Sequence, residues 1–340
     1  MPFINNTKIL IQKSNNHLSL FNLDKNIVYD SIDSNFNKLS SHKIMDGNYS
    51  FVDIWLDMNN DDSIYGVIND KKGKLLNVNI KDDVIDKTTI IKYDYKDFFI
   101  KFPYIKNTSE GNHLIYYSSN KRNFYSSNLI HIYKKNDVYV KKQIDFIKYN
   151  IMSNFIVIWH NNTPSIFYFK LINKVEELFM STFNLNSFEW STPLQITNSK
   201  KSKIYLSVIR HIDDSYHIVF SENNNDQYYC RYIKGYLKND KFNIYKSTFI
   251  RSSVMCLFPH LIECNSTIYA QWVEYHDLYT CKSNDLGENW SIPTLYKSMT
   301  DSPFLRYEFR SNYDNHKIYT LSTVFGFKDC FDIYKVLPKY

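Results

Sequence analysis

The sequence predicts an all-β chain folded as a β-propeller, a ring of small antiparallel sheets. Three observations predict it: a composition hostile to helices, an internal rhythm of about fifty residues, and a polar hairpin motif at 283–290. The composition comes first. The 340 residues include a single alanine, Ala270, against 29 Tyr and 24 Phe. Alanine is the best helix former, whereas aromatic and β-branched side chains fit a pleated sheet.

The rhythm appears in two related segments. Leu178-Phe179-Met180 leads to Phe188-Glu189-Trp190-Ser191-Thr192-Pro193, and Leu278-Tyr279-Thr280 leads to Glu288-Asn289-Trp290-Ser291-Ile292-Pro293. The two tryptophans lie 100 residues apart, two propeller units of about fifty each. Strand-like runs recur with them: Leu18–Phe21, Ile64–Val67, Leu114–Tyr117, Phe155–Trp159, His217–Phe220, Tyr269–Trp272 and Ile318–Leu321. Most follow another such run: Val52–Leu56, Phe102–Ile105, Tyr205–Ile209, Phe258–Leu261 and Leu305–Phe309. Asn, Asp, Ser and Lys turns separate them. Seven four-stranded blades are expected over a single domain, 1–340, with six as the alternative if the first unit is irregular. The last unit lacks an outer strand. Residues Pro2–Ile4 or Lys8–Ile11 are placed to supply it and tie the termini together.

Ser283-Asn284-Asp285-Leu286-Gly287-Glu288-Asn289-Trp290 reads Ser-x-Asp-x-Gly-x-x-Trp. Asp285 and Ser283 can bond their own turn. Gly287 can take positive φ, and Trp290 can pack against the neighbouring sheet. The pattern resembles the Asp-box, or BNR repeat, of the sialidase-like β-propeller superfamily. That resemblance rests on Ser283, Asp285, Gly287 and Trp290. It implies a peripheral turn between the third and fourth strands of a blade, a structural and not a catalytic role. Near Trp190 the copy is eroded, with Phe183, Leu185 and Ser187 in place of Ser, Asp and Gly. The N-terminal Phe/Tyr-Arg-Ile-Pro motif of sialidases is missing, and no arginine precedes Arg122.

Candidate ligand contacts come from scarce arginines. Only six stand among 41 basic residues: Arg122, Arg210, Arg231, Arg251, Arg306 and Arg310. Arg210, Arg306 and Arg310 fall on or beside runs expected to line the central channel. Alternation puts Arg306, Glu308 and Arg310 on one strand face, and His260 lies on a comparable run. One reading is an anion or acidic-sugar site, since guanidinium forks suit carboxylate or phosphate. The other is that Glu308 and further acids neutralise these arginines and hold strands together. His160, His211 and His260 recur at similar intervals but on different strand classes, so they are not expected to converge. No metal or cofactor is expected.

The charge of +6 is dispersed and matches no nucleic-acid motif. No apolar run reaches the ~20 residues of a membrane helix. Five cysteines without a Cys-x-x-Cys pair, Cys230, Cys256, Cys264, Cys281 and Cys330, read as reduced and buried. With no visible signal segment, a cytoplasmic location is expected, with spore or cell-surface association as the alternative. The resulting expectation is a non-enzymatic binding or scaffolding module for a protein or glycan partner. The alternative is a divergent sialidase-like glycoside hydrolase acting on acidic sugars. A structural component of a bacterial surface or spore layer is a third reading, motivated only by Tyr and Lys richness.

Overall fold

A computed structural model describes residues 3–250, 255–296 and 302–327. Pro2, Arg251 and Cys330 lie outside these. Almost all regular structure is β, and no helix is long and apolar enough to cross a membrane. Blade I contains β1 (Phe3–Gln12), β2 (Leu18–Asn22), β3 (Asn26–Ile32) and β4 (Lys38–Asp46). Blade II is β5 (Ile54–Met58), β6 (Ile64–Asn69), β7 (Lys74–Lys81) and β8 (Val84–Lys92). Blade III is β9 (Phe98–Thr108), β10 (Gly111–Asn120), β11 (Ser126–Lys135) and β12 (Val138–Lys148).

Blade IV is β13 (Ile156–His160), β14 (Thr163–Ile172), β15 (Val175–Asn184) and the short β16 (Glu189–Trp190) and β17 (Leu194–Gln195). Blade V is β18 (Lys203–Arg210), β19 (Tyr216–Asn224), β20 (Gln227–Lys238) and β21 (Lys241–Phe249). Blade VI is β22 (Leu257–Cys264), β23 (Thr267–Glu274), β24 (Asp277–Ser283) and β25 (Thr294–Leu295). After it come β26 (Phe304–Ser311), β27 (Tyr319–Thr320) and β28 (Thr323–Phe327).

The molecule is a six-bladed β-propeller. The count of seven is corrected to six because β26 founds no blade of its own. It pairs in parallel with β1, Lys8 opposite Tyr307 through Gln12 opposite Ser311, in one six-stranded sheet. Within Ile318–Leu321, expected as the second strand of a seventh unit, β27 instead adds to the edge of β22. Lys8–Ile11 do tie the chain ends together, but beside β26 and not as an outermost strand. Phe155–Trp159 is also reassigned. It belongs with β13, the first strand of blade IV, and not with the second strands.

Every gap between neighbouring blades holds its own apolar cluster. Ile9, Ile11 and Phe21 of blade I meet Ile54, Leu56 and Val78 of blade II. Tyr65 and Val67 meet Ile105 and Leu114, and Ile115 and Tyr117 meet Ile166 and Tyr168. Phe167 and Met180 meet Ile218 and Phe220, and Val219 and Tyr232 meet Ala270 and Trp272. Ile262 of blade VI meets Leu10, Leu305 and Tyr307, which closes the circle. Burying both faces of each sheet this way is what a ring provides and a lone sheet cannot. Tyrosine suits the gaps because its ring fills apolar space while its hydroxyl finds a partner. Tyr29 donates to Asp83 of blade II at 2.9 Å, and Tyr168 to Asp145 of blade III at 2.8 Å.

Asparagine and aspartate do the turning. Asp82-Asp83, Asn173-Lys174, Asn225-Asp226, Asn239-Asp240, Asn265-Ser266 and Tyr275-His276 each place both residues at positive φ between paired strands. This is the type I′ hairpin, whose twist matches that of the strands. Asn and Asp tolerate the left-handed region, so a chain with 7 glycines still turns tightly. The Asn abundance therefore has a physical use.

Candidate functional site at the propeller axis

The first strands of blades II to VI, together with β26, enclose a central cavity of about 580 Å³, within the usual range for small-ligand sites. Arg210, Arg306, Glu308 and Arg310 all line it. His260 does not. It is buried behind Phe258, with its ring 5.1 Å from that of Phe325, and burial pulls its pKa down to about 4. His160 bonds Arg210 and His211 bonds Glu263, so the three spaced histidines go to three different places.

One end of the cavity is a collar that sequence reasoning missed. Phe51, Phe102, Phe155, Tyr205 and Phe258 lie on or just before the first strands of blades II to VI, Arg306 lies on β26 beside β1, and all six line the cavity. They recur every 48–53 residues, a periodicity that was available in the sequence. Around the ring, Tyr205 meets Phe258 at 4.3 Å. Phe258 lies 4.4 Å and Phe51 5.5 Å from the Arg306 guanidinium carbon. Phe51 then meets Phe102 at 6.0 Å.

Three collar residues hold backbone conformations that bulky side chains avoid: Phe102 (φ +50°), Tyr205 (φ +58°) and Phe258 (φ +52°). Each accompanies a register shift in its strand, between Lys101 and Tyr104, Ile204 and Ser207, and Leu257 and His260. These are β-bulges, which re-aim a side chain at the cost of local pairing. Strain of this kind persists only where the surrounding structure over-determines it, and it concentrates at functional sites.

Arg306 is the only non-aromatic member of the collar. Thr7 Oγ1 of β1 accepts from its Nη2 at 2.7 Å and its Nε at 3.1 Å. Among the described residues no carboxylate lies within ion-pair distance of it. The other two candidate arginines are engaged. Arg210 pairs with Asp214 and bonds His160. Arg310 donates to the carbonyls of Phe309 (2.7 Å) and Ser322 (3.2 Å), stacks 4.2 Å over Trp55 and lies 4.0 Å from Asp57.

Two carboxyl groups face this space with opposite electrostatics. Burial would raise the pKa of Asp57. The charges of Lys106 and Arg310, with hydrogen bonds from Lys106 (2.7 Å) and the Met58 amide (2.9 Å), hold it below the usual carboxylate value. Tyr65 donates to the same carboxylate at 3.1 Å. Glu308 is the reverse. Burial raises it, and the nearby charges of Arg310 and Arg306 only partly offset that. Its carboxyl forms no hydrogen bond or ion pair with another described residue. Tyr104 accepts a 2.6 Å bond from the Trp159 indole, bracing the wall between blades III and IV. On the other side, β27 and β28 lie along the edges of β22 and β26, and Thr320–Thr323 line the cavity.

The Ser-x-Asp-x-Gly-x-x-Trp turn lies apart from this site, between β24 and β25. Asp285 accepts from Asn289 N (2.9 Å), Asn289 Nδ2 (2.8 Å) and Ser283 Oγ (2.7 Å). These bonds, the Asn289 amide foremost, hold its pKa near 2. Trp290 packs on Tyr232 of blade V at 5.0 Å. In blade IV, Trp190 packs the same way on His131 of blade III and donates to it at 3.0 Å. The eroded copy thus keeps its wedge, and its turn is held instead by Asn184 Oδ1, which accepts from Asn186 N (2.8 Å) and Ser187 N (3.2 Å). Four cysteines, Cys230, Cys256, Cys264 and Cys281, are free and buried.

No family model and no curated protein matches the sequence. Solved structures do resemble the fold. One is an ulvan lyase, a polysaccharide lyase bound to GlcA(1-4)Rha3S. It matches with a TM-score of 0.64 and 9% identity over 96% of this chain and 91% of that one. The α-L-arabinofuranosidase of Fusarium graminearum, in complex with arabinobiose, gives 0.53 and 12% over 84% and 94%. The α-L-arabinanase of Penicillium chrysogenum, also with arabinobiose, gives 0.50 and 9% over 70% and 79%. At these identities the likeness is one of fold.

Proposed function

We propose that this propeller is a glycoside hydrolase acting on acidic sugars in its central cavity. The observation that carries the reading is the pair Asp57 and Glu308. Both carboxyls face one cavity beside Arg310, and their surroundings push their pKa values apart. Such a divided pair is how two like groups take acid and base roles at one pH. Glu308, favoured in its protonated form, is the proton donor to a departing sugar oxygen. Asp57 stays ionised and stabilises the positive charge that develops as the glycosidic C–O bond breaks; a solvent water then adds to the anomeric carbon and gives its proton to the Glu308 carboxylate, restoring the acid. Carbohydrate-acting proteins among the fold neighbours support the same direction. The turn at 283–290 supports kinship with the sialidase-like propellers.

A second reading, a glycan-binding module without catalysis, is favoured by one specific fact. Asp57 is already held by Lys106, Tyr65 and Arg310, which leaves it poorly placed as a nucleophile. A chromogenic panel of sialosides, uronides and neutral glycosides separates the two. For a hydrolase, Glu308→Gln lowers turnover by about 10²–10⁴-fold with folding retained. If no panel member is cleaved but acidic oligosaccharides bind in calorimetry, the binding module is the correct reading.

A further inference from the structure

We infer that the collar is an anion-selecting sugar subsite and that Arg306, its one charged member, sets the choice. This deepens the reading above and rests on it, because it needs a sugar to enter the cavity. Five aromatic rings and one guanidinium, spaced about one repeat apart along the chain, line the cavity. Rings in such positions offer flat faces to the apolar C–H surfaces of a pyranose. With aromatic side chains at all six positions, the collar would be blind to charge. Replacement at the sixth adds a planar fork suited to carboxylate or sulfate.

The arginine is prepared for that role. Thr7 fixes Nε and Nη2 from the β1 side, while Nη1 makes no hydrogen bond to a described residue. Phe258 and Phe51 flank the guanidinium and limit its rotation. With no carboxylate of the described residues paired to it, an incoming anion displaces no internal partner. Arg210 and Arg310 lack this freedom, being engaged with Asp214 and Asp57. Bulges at Phe102, Tyr205 and Phe258 turn three of the rings inward, so backbone strain is spent on building this layer. Carboxylated and sulfated sugars share the required chemistry.

Calorimetric titration tests the inference with matched ligands: sialyllactose against lactose, digalacturonate, and galactose 6-sulfate against galactose. In the wild-type protein, at least one anionic ligand should bind roughly tenfold or more tightly than its neutral counterpart. The two anion chemistries separate by which ligand that is. Arg306→Phe should erase the preference while keeping neutral binding. Should that variant fail to fold, Arg306→Lys supplies the readout, weakening the anionic ligand alone by about tenfold. Equal wild-type binding of neutral and anionic partners, or a preference that survives both substitutions, overturns the collar assignment and leaves the cavity reading standing. Binding of none of the ligands overturns both.

Discussion

Gly287 sits at φ +86°, and a Cβ there would stand 1.7 Å from the Tyr232 hydroxyl of the neighbouring blade. Both the backbone angle and the space demand glycine. Gly287→Ala should therefore destabilise the fold by roughly 2–4 kcal/mol, measured by urea unfolding. A loss below half a kcal/mol would show that the turn relaxes freely. Glu308 makes a different prediction, with a sign set by burial. Its folded-state pKa is raised from 4.5. Its contribution to stability is therefore complete below that value and is lost as pH rises through the raised one. Stability of the wild type relative to Glu308→Gln should fall as pH climbs from acid to neutral. A difference independent of pH would mean that the carboxyl titrates normally.

Between elements, the most exacting contact joins blades IV and V. Lys203 of β18 is fully buried, 2.8 Å from Glu177 of β15 and 3.7 Å from Glu222 of β19. Its remaining hydrogens go to the carbonyls of Glu176 (2.9 Å) and Lys201 (2.6 Å). Thr197 donates to Glu177 at 2.5 Å, and Ser199 to Glu222 at 2.6 Å. A buried charge with every valence met is tolerable, but removing one partner strands the others. Lys203→Ala should cost about 3–5 kcal/mol in chemical denaturation. The double change Lys203→Met with Glu177→Leu should recover part of that loss. If the single change proves nearly neutral, water already reaches the cluster. The bulged strands teach a related lesson. A one-residue shift in β9, β18 and β22 carries aromatic side chains from the interblade gap to the axis.

For the molecule as a whole, closure depends on β1. It lies between β26 and β2, so one strand joins the end of the described chain to its beginning. Ile9 and Ile11 serve the gap toward blade II and Leu10 the gap toward blade VI. Deleting residues 1–13 should abolish cooperative unfolding and leave aggregating material, read by size-exclusion chromatography and thermal melting. A truncated chain that melted as sharply as the parent would show that the ring survives without this strand.

Strands and turns were legible because they are local. Alternating apolar residues and Asn/Asp turns act over a few residues, and the spacing of Trp190 and Trp290 is a plain repeat of two units along the chain. Arg306, Glu308 and Arg310 could be placed at the axis for the same reason, since alternation along β26 is enough. The collar was legible only in part. Its period is present, but bulges move Phe102, Tyr205 and Phe258 out of simple alternation; Pro103 and Pro259 mark two of them, and nothing marks the one at Tyr205.

Local chemistry thus settled the all-β character, the hairpins and the inward-facing arginines. Blade number, the partners of each arginine and the opposed behaviour of Asp57 and Glu308 arose only on closing the ring. The reason is distance along the chain. Thr7 meets Arg306, and Asp57 meets Lys106 and Arg310, across separations that pattern does not encode. Pairing, burial and charge at the axis are properties of the assembled wheel, because six separate stretches of chain must arrive there before any of them acquires a neighbour.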